Sequence, residues 1–276
     1  MSHRIRGRKD HYLPQGYLRG FIDSTQPKES KPLWWYQVPY RKWERCSTAE
    51  VGYIRGFYDY SKGVDSSIET ADQAFAELER NFTPILRDLL AHGFLNWLEH
   101  RDFLLWYMQM IRVRSPLYFE QKRIAAKNSP AGVIEEISED RKSIKFRPIE
   151  LDDSFIKNCT LTEMKAELKK GVDDLNNFDW ALHYCESPKD SFLTCDTPFV
   201  AIGPVAGQEQ VAQREALQHP DTKLYFPLCW QACIVGSPCP FDIKTERATT
   251  DFLQLVRQEY RKNAKSYLIS PVELSD

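Results

Sequence analysis

Apolar positions recur at helical spacing through the first half of the chain and in short β-type runs through the second. Phe75, Leu78, Phe82, Ile85, Leu86 and Leu89 fall on one face of a helix. Ser66 and Glu69 form a capping box ahead of it, and Gly93 ends it. Inside that span Thr83-Pro84 breaks the helix, kinks it, or restarts it with Thr83 as N-cap. A second helix runs from near Asn96 to about Ser115. It is apolar almost all round, from Phe103 through Trp106 and Met108 to Ile111, so it is expected at the centre. Ser115-Pro116 caps a third helix through about Lys127. Together these predict a helical lobe at about residues 66–127.

Residues 128–148 are polar, with a hint of alternation at Ser143 to Arg147. Thr160 and Glu163 make a second capping box, and Leu161, Met164, Leu168, Val172 and Leu175 stripe a helix ending near Asn176. The texture then changes. Trp180–Cys185, Phe192–Ile202, Lys223–Leu228 and Gln231–Val235 read as strands between Pro, Gly and Ser, with a polar insertion at 206–219. A helix over Thr249–Asn263 and a strand over Ser266–Ser270 close the chain. Leu33–Tyr40 is also strand-like. The fold expected is α+β in one compact domain over 1–276, the helical lobe packed on a mixed sheet at about 177–276 and the N-terminal segment tying the two.

Composition narrows the function classes. The 276 residues are 42% hydrophobic and 13% aromatic, values of a folded chain. A net charge of −2 argues against wholesale nucleic-acid binding. The basic run Arg4, Arg6, Arg8 and Lys9 reads as a solvated terminus. Phe103–Ile111 is too short to span a bilayer, and Gln109 interrupts it. No signal-peptide pattern opens the chain, and seven scattered cysteines read as reduced thiols, so a cytoplasmic protein without a membrane segment is expected. The aromatic series Trp34, Trp35, Tyr36, Trp43, Tyr53, Phe57, Tyr58 and Tyr60 reads as core rather than as a base-stacking stripe. There is no Walker loop, dinucleotide loop, nucleophile elbow or His-Glu-x-x-His.

The densest chemistry lies between His11 and Phe21. Pro14 excludes a helix through it, while residues 15–21 suit a short helix or a strand. In a helix, Tyr17 and Phe21 share a face. His11 titrates near neutrality and Arg19 can clamp an anion with two hydrogen bonds. The pattern His11-x-x-Pro14-x-x-Tyr17-Leu18-Arg19-x-Phe21 resembles the opening signature of the family called domain of unknown function 4238. Leu78-Glu79 with Pro84-Ile85-Leu86, Arg112-Val113-Arg114-Ser115-Pro116, Thr194-Cys195-Asp196-Thr197-Pro198, Phe226-Pro227-Leu228, and Asn263-Ala264 with Tyr267 resemble it in the same order. The chain departs from it at Cys195-Asp196-Thr197-Pro198, where Ser-Asp-Asn-Pro is expected. The resemblance implies an architecture and no activity.

Three constellations are candidates. The leading one combines His11 as acid or base with Glu79 and Asp196 as metal-binding or basic carboxylates. Arg19, Arg112 and Tyr17 would hold the substrate. A divalent metal, magnesium or manganese, and a phosphoester, with nucleic acid as partner, suit that set. It predicts a phosphoester hydrolase of nuclease type. The alternative is a non-enzymatic binding or regulatory module, in which Arg19 and Arg112 pair with Glu79 and Asp196 across the lobes. Second, Arg87-x-x-x-x-His92 resembles the motif of HEPN ribonucleases, with a basic helix end as the alternative. Third, Cys229, Cys233 and Cys239, with Cys195 or His183, lack zinc-site spacing and read as small core residues.

Overall fold

The computed structural model describes residues 9–23, 31–59, 71–128, 132–137, 144–148, 151–203 and 219–274. The capping box at Ser66 and Glu69, the basic run through Arg8 and most of the 206–219 insertion lie outside the described residues. Strand β1 (Lys9–His11) leads through Pro14, whose ψ of 138° keeps it extended, into the short helix α1 (Gln15–Arg19). The β2 (Leu33–Gln37) and β3 (Lys42–Cys46) strands form a hairpin, and β4 (Tyr53–Arg55) returns to pair antiparallel with β1.

The helical region follows. Helix α2 (Ala71–Ala91) runs through Pro84 without a break. Pro84 removes the bond to the carbonyl of Arg80, and both residues are exposed, so water can take that carbonyl. A 3-10 turn over Trp97–His100 precedes α3 (Arg101–Arg114), and Pro116 opens α4 (Pro116–Asn128). The hairpin of β5 (Gly132–Ile137) and β6 (Ile144–Pro148) fills the span read as polar; its alternation predicted only the second strand.

Helix α5 (Asp153–Leu175) begins seven residues before the Thr160 of the predicted capping box. The cap is Asp152, whose carboxylate accepts the Phe155 N–H at 2.7 Å. Thr160 sits inside the helix and donates its hydroxyl to the Ile156 carbonyl at 2.8 Å, the local bond open to a threonine in a helix.

The C-terminal half supplies β7 (Asp179–Tyr184), β8 (Thr194–Cys195), β9 (Val200–Ile202), β10 (Lys223–Cys229), β11 (Ala232–Ser237), β12 (Thr245–Arg247), helix α6 (Thr250–Asn263) and β13 (Tyr267–Ser270). Five strands form a mixed sheet in the order β12-β7-β11-β10-β9, with β12 parallel to β7. A second sheet, β3-β2-β13-β8, joins N-terminal and C-terminal strands. The predicted strand over Phe192–Ile202 is thus two short strands in different sheets, parted at Asp196-Thr197-Pro198. The α+β expectation agrees with this architecture.

A single apolar cluster runs from α1 through α2 and α3 into the sheets. Tyr17 is its polar anchor: fully buried, ringed by Phe21, Phe82 and Phe226, with its hydroxyl donating to the Pro227 carbonyl and bonded to Thr194, each at 2.9 Å. Sheet packing is equally tight at Gly236, where a Cβ would lie 2.6 Å from the buried Trp180 ring. Gly236→Ala is expected to cost about 1–3 kcal/mol of stability, the usual penalty for overpacking. Urea unfolding checks this, and an unchanged midpoint would show that the Trp180 ring moves freely.

Candidate functional site

The RVRSP stretch ends α3, and its two arginines part company. Arg114 is 2% exposed. Its guanidinium pairs with Glu79 of α2, donates to the His11 carbonyl at 2.6 Å and to the Tyr58 hydroxyl at 3.0 Å, and faces the rings of Tyr58 and Phe75. Burial disfavours its charge, but Tyr58 and Glu79 outweigh that and raise its pKa. His11 lies at the edge of this cluster against Tyr53, ring centroids 5.6 Å apart. Its Nε2 and the buried Tyr107 hydroxyl find no partner among the described residues.

Arg114 therefore joins His11 and Glu79, and among the described residues neither is joined to Asp196, Arg112 or Arg19. Asp196 is 5% exposed. Its carboxylate accepts the backbone N–H groups of Lys265 at 3.1 Å and Ser266 at 2.8 Å, holding the corner between α6 and β13. Burial still raises its pKa, against those two bonds. Tyr17, expected to touch substrate, is instead sealed in the core, because its ring packs on three others. Arg19 is exposed on the last turn of α1 and has no ion pair among the described residues. Among the described residues no three His, Cys, Asp or Glu side chains converge as a metal set, so Glu79 and Asp196 share no third ligand.

Arg112 points the other way. It lines a groove of about 290 Å³ between α3, α4 and α5, with Gln121, Lys122, Glu167, Lys170 and Asp174. Its Nε donates to the Gln109 side-chain oxygen at 2.6 Å, and its guanidinium sits 5.7 Å from the centre of the Tyr118 ring. No carboxylate is ion-paired to it among the described residues. Burial lowers its pKa, opposed by Tyr118, Glu167 and Asp174. Lys122 is already engaged by Glu167 at 3.0 Å and Glu163 at 3.5 Å. Gly171 makes the groove possible: a Cβ there would lie 2.4 Å from the Gln109 oxygen and 2.9 Å from Arg112 Nη2.

Sequence reasoning singled out Arg112 and missed Gln109, Glu167, Gly171 and Asp174. The signals were a lone glutamine in the most apolar run and a lone glycine in a clean helical stripe. Residues Thr197, Pro198 and Phe199 extend the groove past Arg112 and Tyr118.

At the end of α2, Arg87 and His92 are exposed. His92 Nδ1 bonds the Asp88 carbonyl at 2.9 Å and lies 3.2 Å from its carboxylate, while His100 Nε2 and Asn96 take the other carboxylate oxygen at 3.0 and 2.6 Å. Cys229 and Cys233 are buried free thiols, as expected of core residues, whereas Cys239 is exposed.

The family described as Protein of unknown function (DUF4238) matches residues 9–266, nearly the whole chain. The chain belongs to that family. No curated protein and no solved structure matches it. No helix among the described residues is long and apolar enough to cross a membrane.

Two predictions separate the arginines and test the cluster. Glu79→Gln leaves the buried Arg114 without its carboxylate and is expected to cost about 1–3 kcal/mol, the partial exposure of Glu79 included. Arg112→Gln, which breaks no ion pair, is expected to shift the urea midpoint far less; equal losses would contradict the assignment. The second concerns pH. Burial, then Lys9 and Arg114, hold the pKa of His11 below its ordinary 6.5. The folded chain therefore resists its protonation, so the stabilisation is full above that value and is lost as pH falls through the lowered one. Stability measured at about pH 7.5 and about pH 5.5 should fall less in His11→Gln than in the native chain. Burial lowers His183 in the same direction, so some slope is retained.

Proposed function

We propose that this member of the DUF4238 family recognises phosphate esters in the groove over Arg112. One observation carries the reading. A half-buried guanidinium, oriented by a neutral amide and ion-paired to nothing among the described residues, lines a groove of ligand size. A buried cation normally has a partner, and here an anion from outside supplies it. The phosphate clamp expected of Arg112 is kept, with Gln121 and Lys170 beside it.

Hydrolysis of a nucleic-acid phosphodiester in the cytoplasm belongs to the same proposal. Magnesium or manganese would take Glu167 and Asp174, the carboxylates lining the groove, together with the ligand's phosphate; Mg²⁺ is commonly held by one or two carboxylates plus phosphate and water. This shifts the expected metal ligands away from Glu79 and Asp196. It also leaves His11 outside the reaction. All seven cysteines are free thiols, in keeping with a reducing compartment.

Calorimetric titration with inorganic phosphate and with a dinucleotide tests the binding. Arg112→Gln is expected to weaken both by about 10- to 100-fold, the worth of a charged hydrogen bond, at a nearly unchanged melting temperature. No binding by the native chain, or equal binding by the variant, rejects the reading. Nuclease assays on DNA and RNA with either metal then test hydrolysis. Activity lost in Glu167→Gln and Asp174→Asn supports it. Loss in Asp196→Asn at unchanged stability would return the chemistry to the originally expected carboxylates. Binding without turnover selects the non-enzymatic alternative, which the Arg114–Glu79 pair favours by holding one of the candidate groups, Glu79, in a structural link.

A second reading, a HEPN-like ribonuclease, rests on His92. Its Nδ1 is engaged by Asp88, which leaves Nε2 for a role as base, and both His92 and Arg87 are exposed. His92→Ala should abolish RNA cleavage if this reading is right, and should leave it untouched if the groove is the site.

A further inference from the structure

A larger cavity, about 580 Å³, opens on the outer face of α6. Lys189, Arg257 and Arg261 line it, with Gln254, Gln258 and a single carboxylate, Glu273. None of the three cations is ion-paired among the described residues. Arg257 is fixed in place: its Nε donates to the Ser191 carbonyl at 3.0 Å, and its Nη2 to the Ser191 and Lys189 carbonyls at 2.8 Å each. Those bonds orient the guanidinium without neutralising it. Its Nη1 makes no hydrogen bond among the described residues. Arg261 stands one helical turn on, at i+4, so the two guanidinium groups share a face.

The electrostatics agree with the geometry. Burial lowers the pKa of Arg257, Asp190 and Cys185 oppose that, and Arg261 lowers it further by like-charge repulsion. Lys262, the other cation of the last turn, is paired with Glu259 and takes no part. Three cations face one lining carboxylate at this concave surface, with Asp190 acting on Arg257 alongside, and an anion bridging the cations relieves their remaining mutual repulsion.

We infer that this cavity binds a small ligand carrying a pyrophosphate group. The two arginines and Lys189 would hold the phosphates, and Gln254 and Gln258 would offer neutral hydrogen bonds to the rest of the molecule. The volume lies within the range of sites for nucleotide-sized ligands, roughly 300–1,000 Å³. A fixed guanidinium suits two oxygens of one phosphate, and a second cation a turn away suits the next phosphate. The inference stands apart from the groove at Arg112, since the two share no lining residue.

The test is calorimetric titration of the full chain with inorganic pyrophosphate, with ADP and with adenosine. Pyrophosphate and ADP are expected to bind, and adenosine is not. Arg261→Gln is expected to weaken both by about tenfold or more, and in an Arg112→Gln background, which removes the groove's own phosphate clamp, the Lys189→Gln/Arg261→Gln double variant is expected to abolish measurable binding. Both side chains are exposed, so the variants should melt with the native chain. Arg112→Gln should bind pyrophosphate as the native chain does. The inference is overturned if no saturable binding is seen, if the double variant binds normally, or if Arg112→Gln is the variant that fails. It is also overturned if a short DNA strand binds far more tightly per phosphate than ADP and is lost in the double variant, which would make the surface a polymer contact.

Discussion

A buried guanidinium has to be answered by its surroundings, and Arg114 is answered from four directions. Glu79 reaches it from α2, Tyr58 and His11 from the N-terminal segment, and Phe75 lays a ring face against it. Desolvating an arginine is expensive, and the expense is offset only when charge and hydrogen bonds are supplied together. The end of α3, the flank of α2 and the β1–β4 ribbon are therefore fixed relative to one another by a single side chain. The groove lies on the other side of α3, where α4 and α5 supply its remaining walls.

Similar polar fastenings recur where elements distant in sequence meet. The Tyr17 hydroxyl spans from α1 to Thr194 and Pro227, and the Tyr260 hydroxyl spans from α6 to the carbonyls of Pro198 and Tyr225. The Asp196 carboxylate closes the corner leading into β13. Each of these groups lies at a join between segments far apart in the chain, and each pairs with backbone or hydroxyl groups there. Apolar packing sets which faces meet; these bonds set the register in which they meet.

Much of the architecture is readable from periodicity. The stripes of α2, α3 and α5, the β-runs after Trp180 and the Pro14 stop all follow from local residue chemistry. Partners in space do not. The pairing of β2 with β13, far apart in sequence, has no local signal, and neither does the division of Phe192–Ile202 between two sheets. The capping box at Thr160 misled because a threonine mid-helix can bond its own turn, while Asp152 was the cap in use. For the site, residue types picked out groups that the fold does not bring together as one constellation. Aspartate, histidine, glutamate and arginine are equally the tools of a catalytic centre and of an inter-lobe joint, and sequence carries no measure of burial. Gln109 and Gly171 were visible as oddities in otherwise regular patterns, but only contact between α3 and α5 gives them a meaning.

The two arginines of RVRSP make the point sharply. At 3.6 residues per turn, positions 112 and 114 lie about 200° apart around the helix. One therefore faces α2 and the N-terminal ribbon, and the other faces α5 and solvent. The same charge at the same depth along the chain meets opposite conditions. Arg114 finds a carboxylate, a hydroxyl and a carbonyl; Arg112 finds an amide and open space. A helix turned by half a revolution would exchange their roles. One arginine holds elements of the protein together and the other keeps unused hydrogen-bonding capacity at a groove, and it is that unused capacity, rather than the residue type, on which the proposal of a binding role for Arg112 rests.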